Sequence, residues 1–126
     1  MAMIVADTDV LIDFLAGSEP GADMVMNYLE QGVLWVSVIT RFELLCGVST
    51  AHQERLIHQL LQALPALSLN ASASTLAAAI SRDLKSRGED IGMADCLIAG
   101  IVLENNARLL TRNRKHFGKV GGLELV

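Results

Sequence analysis

The chain has only two cysteines, Cys46 and Cys96, and they form no Cys-x-x-Cys pair. That excludes a disulfide framework and a cysteine-rich zinc site, and it fits a reducing cytosol. There is no run of about 18 apolar residues, and no basic N-terminal stretch leading into a long apolar one, so neither a membrane span nor a secretory signal is expected. Internal repeats, low-complexity tracts and interdomain linkers are missing too, and residues 1–126 read as one domain long enough to bury a core. Basic residues are absent from the first third: no Lys or Arg precedes Arg41, while the same stretch holds six acids, Asp7, Asp9, Asp13, Glu19, Asp23 and Glu30.

What is present is strongly apolar. Hydrophobic residues make up 52% of the chain, which argues against disorder. The net charge of −4 hides an asymmetry, because Arg108 to Lys119 holds five of the ten basic residues and no acid. An acidic pocket beside a basic strip suits a metal-dependent site acting on a polyanion. An ordinary solvated tail accounts for the same charges.

Strand-like and helix-like pieces alternate. Strands are expected at Met3–Ala6, Val33–Val36, Leu67–Leu69 and Leu109–Thr111, with Leu123–Val126 a candidate fifth. Asp9–Ala16 reads as a helix stopped by Gly17, and Ser18 as the cap of a second helix that runs to about Gln31. Ile39–Gly47 is a third helix. Thr50 and Gln53 form a capping-box pattern before a helix with Leu56, Ile57, Leu60, Leu61 and Leu64 on one face. Ser72–Ser86 and Met93–Asn105 complete the helices. Strands separated by helices imply a parallel sheet covered on both faces.

Three acids sit badly in this pattern. Asp7 ends the first strand, where open α/β sheets place their ligand sites. Glu43 and Asp95 interrupt helices that are otherwise apolar. The helix dipole favours Asp95 by roughly 0.3–1 kcal/mol, too little to offset burial of a lone carboxylate at several kcal/mol. A cation shared by acids from distant segments would solve the problem for all three. Simpler roles exist for each: Asp7 as a helix cap, Glu43 as a partner of Arg41, Asp9 and Asp13 as members of one solvated helix face. Oxygen donors suit a hard cation such as Mg²⁺ or Mn²⁺, and no His or Cys ligand set is evident. Cys46 and Cys96 read as small buried hydrophobes, and His116 as a surface or packing residue.

Four segments carry a resemblance. Ile4-Val5-Ala6-Asp7-Thr8-Asp9-Val10-Leu11-Ile12, Thr40-Arg41-Phe42-Glu43-Leu44, Met93-Ala94-Asp95-Cys96-Leu97-Ile98-Ala99, and Leu110-Thr111-Arg112-Asn113 with His116-Phe117 resemble, in order and spacing, the motifs of PIN-domain ribonucleases. The short chain is most similar to VapC-type toxins of toxin–antitoxin pairs. The resemblance implies a three-layer α/β/α sandwich with a mostly parallel sheet of four to five strands. It implies an Mg²⁺- or Mn²⁺-dependent endoribonuclease, with Asp7, Glu43 and Asp95 as metal-site carboxylates. Asn113 falls where the family often has a fourth acid, and Asp9 where it often has Asn or Ser, so Asp9 would return the missing charge. Thr8 and Thr111 would orient ligands or water. Arg112, Arg114 and Lys115, clustered beside Asn113, are candidates for holding the RNA backbone.

The implied partners are an RNA substrate, a small DNA-binding antitoxin laid into a groove near the first two helices (Phe14, Leu15, Met24, Val25), and a second copy in a homodimer. The implied location is the cytoplasm, with no membrane role. Two other functions compete. Asp7-x-Asp9 after a strand also resembles the nucleophile motif of haloacid dehalogenases, and the length suits a receiver domain, but Lys85, Lys115 and Lys119 lack the context such sites need. A non-catalytic interaction module of the same fold is the other, kept open by Asn113.

Overall fold

The computed structural model describes residues 2–126. Its elements follow in the order β1 (Ile4–Ala6), α1 (Thr8–Ala16), α2 (Gly21–Glu30), β2 (Leu34–Ser37), α3 (Val38–Cys46), α4 (Ala51–Ala63), β3 (Ala66–Leu67), α5 (Ala71–Ser86), α6 (Met93–Glu104), β4 (Arg108–Leu110), α7 (Arg114–Phe117) and β5 (Glu124–Leu125). The five strands pair in parallel in the order β3-β2-β1-β4-β5. β1 is central, with Val5 opposite both Trp35 and Leu109.

Alternation along the strands builds two cores. Val5 and Leu109 face one side, where α5, α6 and α7 supply Ala73, Leu84, Ile98, Ile101 and Phe117. Ile4, Ala6, Leu34, Val36 and Leu110 face the other, covered by Val10 and Leu11 of α1, Val25 of α2, Leu44 of α3 and Ile57 and Leu61 of α4. All of β1 is buried, as a central parallel strand covered on both faces must be. The result is the three-layer α/β/α arrangement with a fully parallel sheet. No helix among the described residues is long and apolar enough to cross a membrane.

Side chains cap four helices, two of them, at Asp7 and Thr50, as the sequence suggests. Asp7, Ser37, Thr50 and Asn70 cap α1, α3, α4 and α5, each accepting a hydrogen bond from a first-turn backbone N–H. The Thr50–Gln53 box is shifted by one residue, because the Gln53 side chain accepts from the Ser49 N–H at 3.0 Å. Ser18 is not the cap of α2. That helix begins at Gly21 with Pro20 at the cap position, and Glu19 Oε1 accepts from the Asp23 N–H at 2.8 Å instead. α7 was not expected; its buried Phe117 anchors a single turn to the core. Cys46 is exposed, contrary to expectation, because it ends α3 on the side away from Leu44; Cys96 is buried.

Candidate active site

The sheet order reverses direction between β1 and β4, and the carboxyl ends of these strands frame a crevice of the kind that binds ligands in open α/β sheets. Asp7 follows β1 directly and Thr111 follows β4 directly. The backbone joins the two ends through Asp7 N–H and Leu110 O at 2.9 Å. Asp7 is only 5% exposed. Its Oδ1 accepts from the Thr8 N–H at 2.8 Å and its Oδ2 from the Thr111 hydroxyl at 2.7 Å. Burial pushes its pKa from 3.8 up to about 6, the Thr111 hydrogen bond opposes the rise, and the nearby charges of Asp9 and Asp95 add to it.

Glu43 enters from α3. Thr8 Oγ1 lies 2.7 Å from Glu43 Oε1 and 3.0 Å from Thr40 Oγ1. A hydroxyl has one proton and a carboxylate only accepts, so Thr8 donates to Glu43 and Thr40 supplies the proton of the other contact. Glu43 therefore turns towards the strand end rather than towards Arg41. Asp95 enters from the first turn of α6, and its carboxyl is also raised by burial; contact with His116 lowers it, and the charges of Glu43 and Asp9 raise it. His116 Nδ1 lies 3.4 Å from Asp95 Oδ2 and 3.0 Å from Asn113 Nδ2. The carboxylate needs a proton on Nδ1 and the amide needs a lone pair there, so one contact at a time is a hydrogen bond.

Asp9 lies one residue beyond Thr8 on α1. Its Oδ2 accepts from the Arg112 N–H at 3.1 Å and lies 3.4 Å from Thr111 Oγ1. Its Oδ1 is buried with no hydrogen-bond partner among the described residues. Asp13 was expected on a solvated face, but it is buried at 8% exposure and pairs with the Arg112 guanidinium. Its Oδ1 accepts from the Arg112 terminal nitrogen at 3.2 Å, and its Oδ2 lies 2.6 Å from Nε as a charge contact without hydrogen-bond geometry.

The basic cluster is divided in its allegiance. Arg112 is held by Asp13, and Arg114 donates to the Val126 carbonyl at 2.6 Å. Lys115 is exposed. Sequence reasoning missed two participants. His116 stands three residues after Asn113, a spacing that puts both on one face of a helical turn, and that was the available signal. The Asp13–Arg112 pair spans distant segments and left no local sign.

The charges of Asp9 and Asp95 raise Asp7, and those of Glu43 and Asp9 raise Asp95, so the cluster favours a counter-charge. Among the described residues the side-chain and backbone partners of Asp7 and Glu43 are neutral donors. An orphaned buried oxygen on Asp9 and an all-oxygen donor set fit a hard divalent cation. As they stand, no three Asp, Glu, His or Cys side chains among the described residues converge on one point.

The model of the PIN domain matches residues 4–123. The chain belongs to the PIN-domain family. A tRNA(fMet)-specific endonuclease VapC from Shigella flexneri is 28% identical over 98% of this chain and 96% of its own. Ribonuclease VapC10 from Mycobacterium tuberculosis is 30% identical over 91% of this chain and 86% of its own. The solved structure of VapBC-1 from nontypeable Haemophilus influenzae superposes with a TM-score of 0.84 at 26% identity, covering 98% of this chain and 96% of that one. The chain spans at least 86% of the length of each of these three relatives.

Proposed function

We propose that this PIN domain is an Mg²⁺- or Mn²⁺-dependent endoribonuclease, the toxin of a VapBC-like pair. The observation that carries the reading is the placing of Asp7, Asp9, Glu43 and Asp95 around the reversal point of a PIN-family sheet, where burial raises Asp7 to a pKa of about 6 and the charges of Asp9 and Asp95 add to the rise. Asp7, Glu43, Asp95 and the free oxygen of Asp9 would hold the cation. When bound, such an ion acidifies water and neutralises charge on a phosphoryl oxygen. Thr111 and Thr8 fix the orientation of the Asp7 and Glu43 carboxylates, leaving their remaining lone pairs for the cation. Asn113 offers a carbonyl oxygen without charge, and Asp9 on α1 restores that charge. The reaction is in-line attack of water on an RNA phosphodiester, with 5′-phosphate and 3′-hydroxyl ends. The relatives' names, a tRNA endonuclease and a ribonuclease, support RNA as substrate.

The deciding experiment incubates wild type and Asp95→Asn with RNA in Mg²⁺, in Mn²⁺ and in EDTA, and identifies the end groups. Metal-dependent cleavage lost in Asp95→Asn supports the reading. Cleavage indifferent to EDTA overturns the metal mechanism, and absence of cleavage across transfer, ribosomal and messenger RNA leaves an interaction module. The phosphotransfer alternative has no support from a chain whose family match runs from residue 4 to residue 123.

A small antitoxin is the partner that fits, since the Haemophilus neighbour is a VapBC complex. The seat we propose shares Leu15 with the cluster expected from sequence but not Val25, which is fully buried. A groove of about 360 Å³ between α1, α3 and α4, lined by Ile12, Leu15, Leu44, Leu56 and Ile57, opens beside Glu43. An apolar segment seated there could send a basic side chain to the acids. We propose a cytoplasmic location and a homodimer, and the molar mass from light scattering tests the latter directly.

A further inference from the structure

We propose that Asp13 and Arg112 form a latch that positions the turn from Thr111 to Asn113 over the acidic site, so that Asp13 is a positioning residue and the Arg112 guanidinium is a clamp rather than an RNA contact. The inference rests on the ribonuclease reading only for its consequence, since the latch itself is a matter of geometry.

Arg112 is joined to α1 at two points. Its guanidinium lies against Asp13, with Nε 2.6 Å from Oδ2 and a terminal nitrogen 3.2 Å from Oδ1. Its backbone N–H donates to Asp9 Oδ2 at 3.1 Å. The residues on either side are tied to the same site. Thr111 donates its hydroxyl proton to Asp7 Oδ2 at 2.7 Å, and the Asn113 N–H donates to Thr111 Oγ1 at 2.9 Å. The turn thus reaches the acids through neutral donors, which align carboxylates without neutralising them. What holds the turn in place is the charged pair at its apex.

Asp13 is well suited to anchor such a pair. It is 8% exposed and sits one helical turn after Asp9, so the two carboxylates share one face of α1. Behind it lies Gly21, the buried first residue of α2. A Cβ on Gly21 would stand 2.5 Å from Asp13 Cβ and 2.7 Å from its Cγ. The carboxylate is wedged between the backbone of one helix and the guanidinium from another segment, which limits its rotamers. The Arg112 side chain is 46% exposed, open enough to be changed without emptying the core. An arginine paired by two nitrogens with a buried carboxylate is oriented and partly neutralised, and has little charge to offer a phosphate.

The test is a double-mutant cycle with Asp13→Asn, Arg112→Gln and both together, each first checked for native circular dichroism. Mn²⁺ affinity is read by electron paramagnetic resonance, and exchange of the Arg112 and Asn113 amides by NMR; neither requires cleavage. Mn²⁺ binding should weaken about 10- to 100-fold in each single variant, the range for loss of an outer partner of a metal site. Exchange at both amides should accelerate, and the double variant should lose no more than either single one, because the residues act as a unit. Unchanged Mn²⁺ affinity and amide protection in a folded Arg112→Gln protein would overturn the proposal. So would an effect confined to RNA affinity and its salt dependence, which would return Arg112 to the substrate. If wild type binds Mn²⁺ and shows the coupled losses but cleaves no RNA, the ribonuclease reading fails and the latch stands.

Discussion

The Thr111 hydroxyl donates to Asp7 Oδ2 at 2.7 Å across 104 positions of sequence, and this bond opposes the burial that lifts Asp7 to a pKa of about 6. Thr111→Val keeps the shape of the side chain and removes the donor. The Asp7 carboxyl should then titrate above its present value, because the charged form loses a hydrogen bond. In a pH profile of RNA cleavage the acid limb should move to higher pH, while activity on the alkaline plateau changes less. An acid limb that stays in place in Thr111→Val would separate Asp7 from that limb.

A second expectation concerns the metal-free protein. The folded pKa of Asp7 is raised, so the protonated form is the one the fold favours. The stability this group contributes is fully present below about pH 4 and is lost as pH rises through about 6. A rise from 3.8 to about 6 corresponds to a loss of ~3 kcal/mol at neutral pH. In chelator, the wild type should therefore melt at a lower temperature at pH 7 than at pH 5, with the raised carboxyl of Asp95 adding to the trend. Asp7→Asn should flatten the slope and stabilise the metal-free protein at neutral pH while abolishing cleavage. Saturating Mg²⁺ should flatten it in wild type. A wild-type slope of the opposite sign in chelator would contradict the buried state of Asp7.

Much of this was legible in the sequence, for physical reasons. Asp7, Glu43 and Asp95 stood out because each broke a local rule, a charge in an apolar run, and local rules are what a sequence displays. The alternating elements and the caps at Asp7 and Thr50 were readable on the same ground. What escaped were relations that exist only after folding. Asp13 at i+4 from Asp9 has the spacing of a solvated pair, and only α2 packing through Gly21 and the arrival of Arg112 bury it. His116 reads from sequence as a surface or packing residue because its approach to Asp95 depends on α7, a single turn too short to show a period. Ser18 has the chemistry of a cap, but Pro20 takes the cap position and the Glu19 side chain accepts the first-turn N–H of Asp23.

The two cysteines give a simple check on the packing around α6. Cys46 is exposed at the end of α3, whereas Cys96 is buried and its thiol is pushed up, chiefly by that burial. Because the thiolate is the reactive form, native protein should release one equivalent rapidly with a disulfide reagent and the second only on unfolding. Cys46→Ser should remove the fast phase. Two thiols of equal rate in the native protein would mean that α6 is not packed as described.

Gly100 sets how closely α6 approaches α5. A Cβ there would lie 2.5 Å from the Ala73 carbonyl oxygen and 2.9 Å from both Ala77 N and Ala77 Cβ. Two of these neighbours are backbone atoms that cannot rotate away. Alanine in a helix interior is worth ~1 kcal/mol over glycine, but overpacking of a tight contact costs roughly 1–3 kcal/mol. Gly100→Ala should therefore lower the melting temperature in spite of its better helix propensity, and Gly100→Val should lower it further. Since α6 carries Asp95 in its first turn, the displacement should also reduce cleavage more than the lost stability alone explains. Combining Gly100→Ala with Ala77→Gly removes the Cβ contact and leaves the two backbone contacts, so it should recover part of the melting temperature. A stabilised Gly100→Ala protein would show that the helices have room to separate, and that Asp95 is not held by this contact.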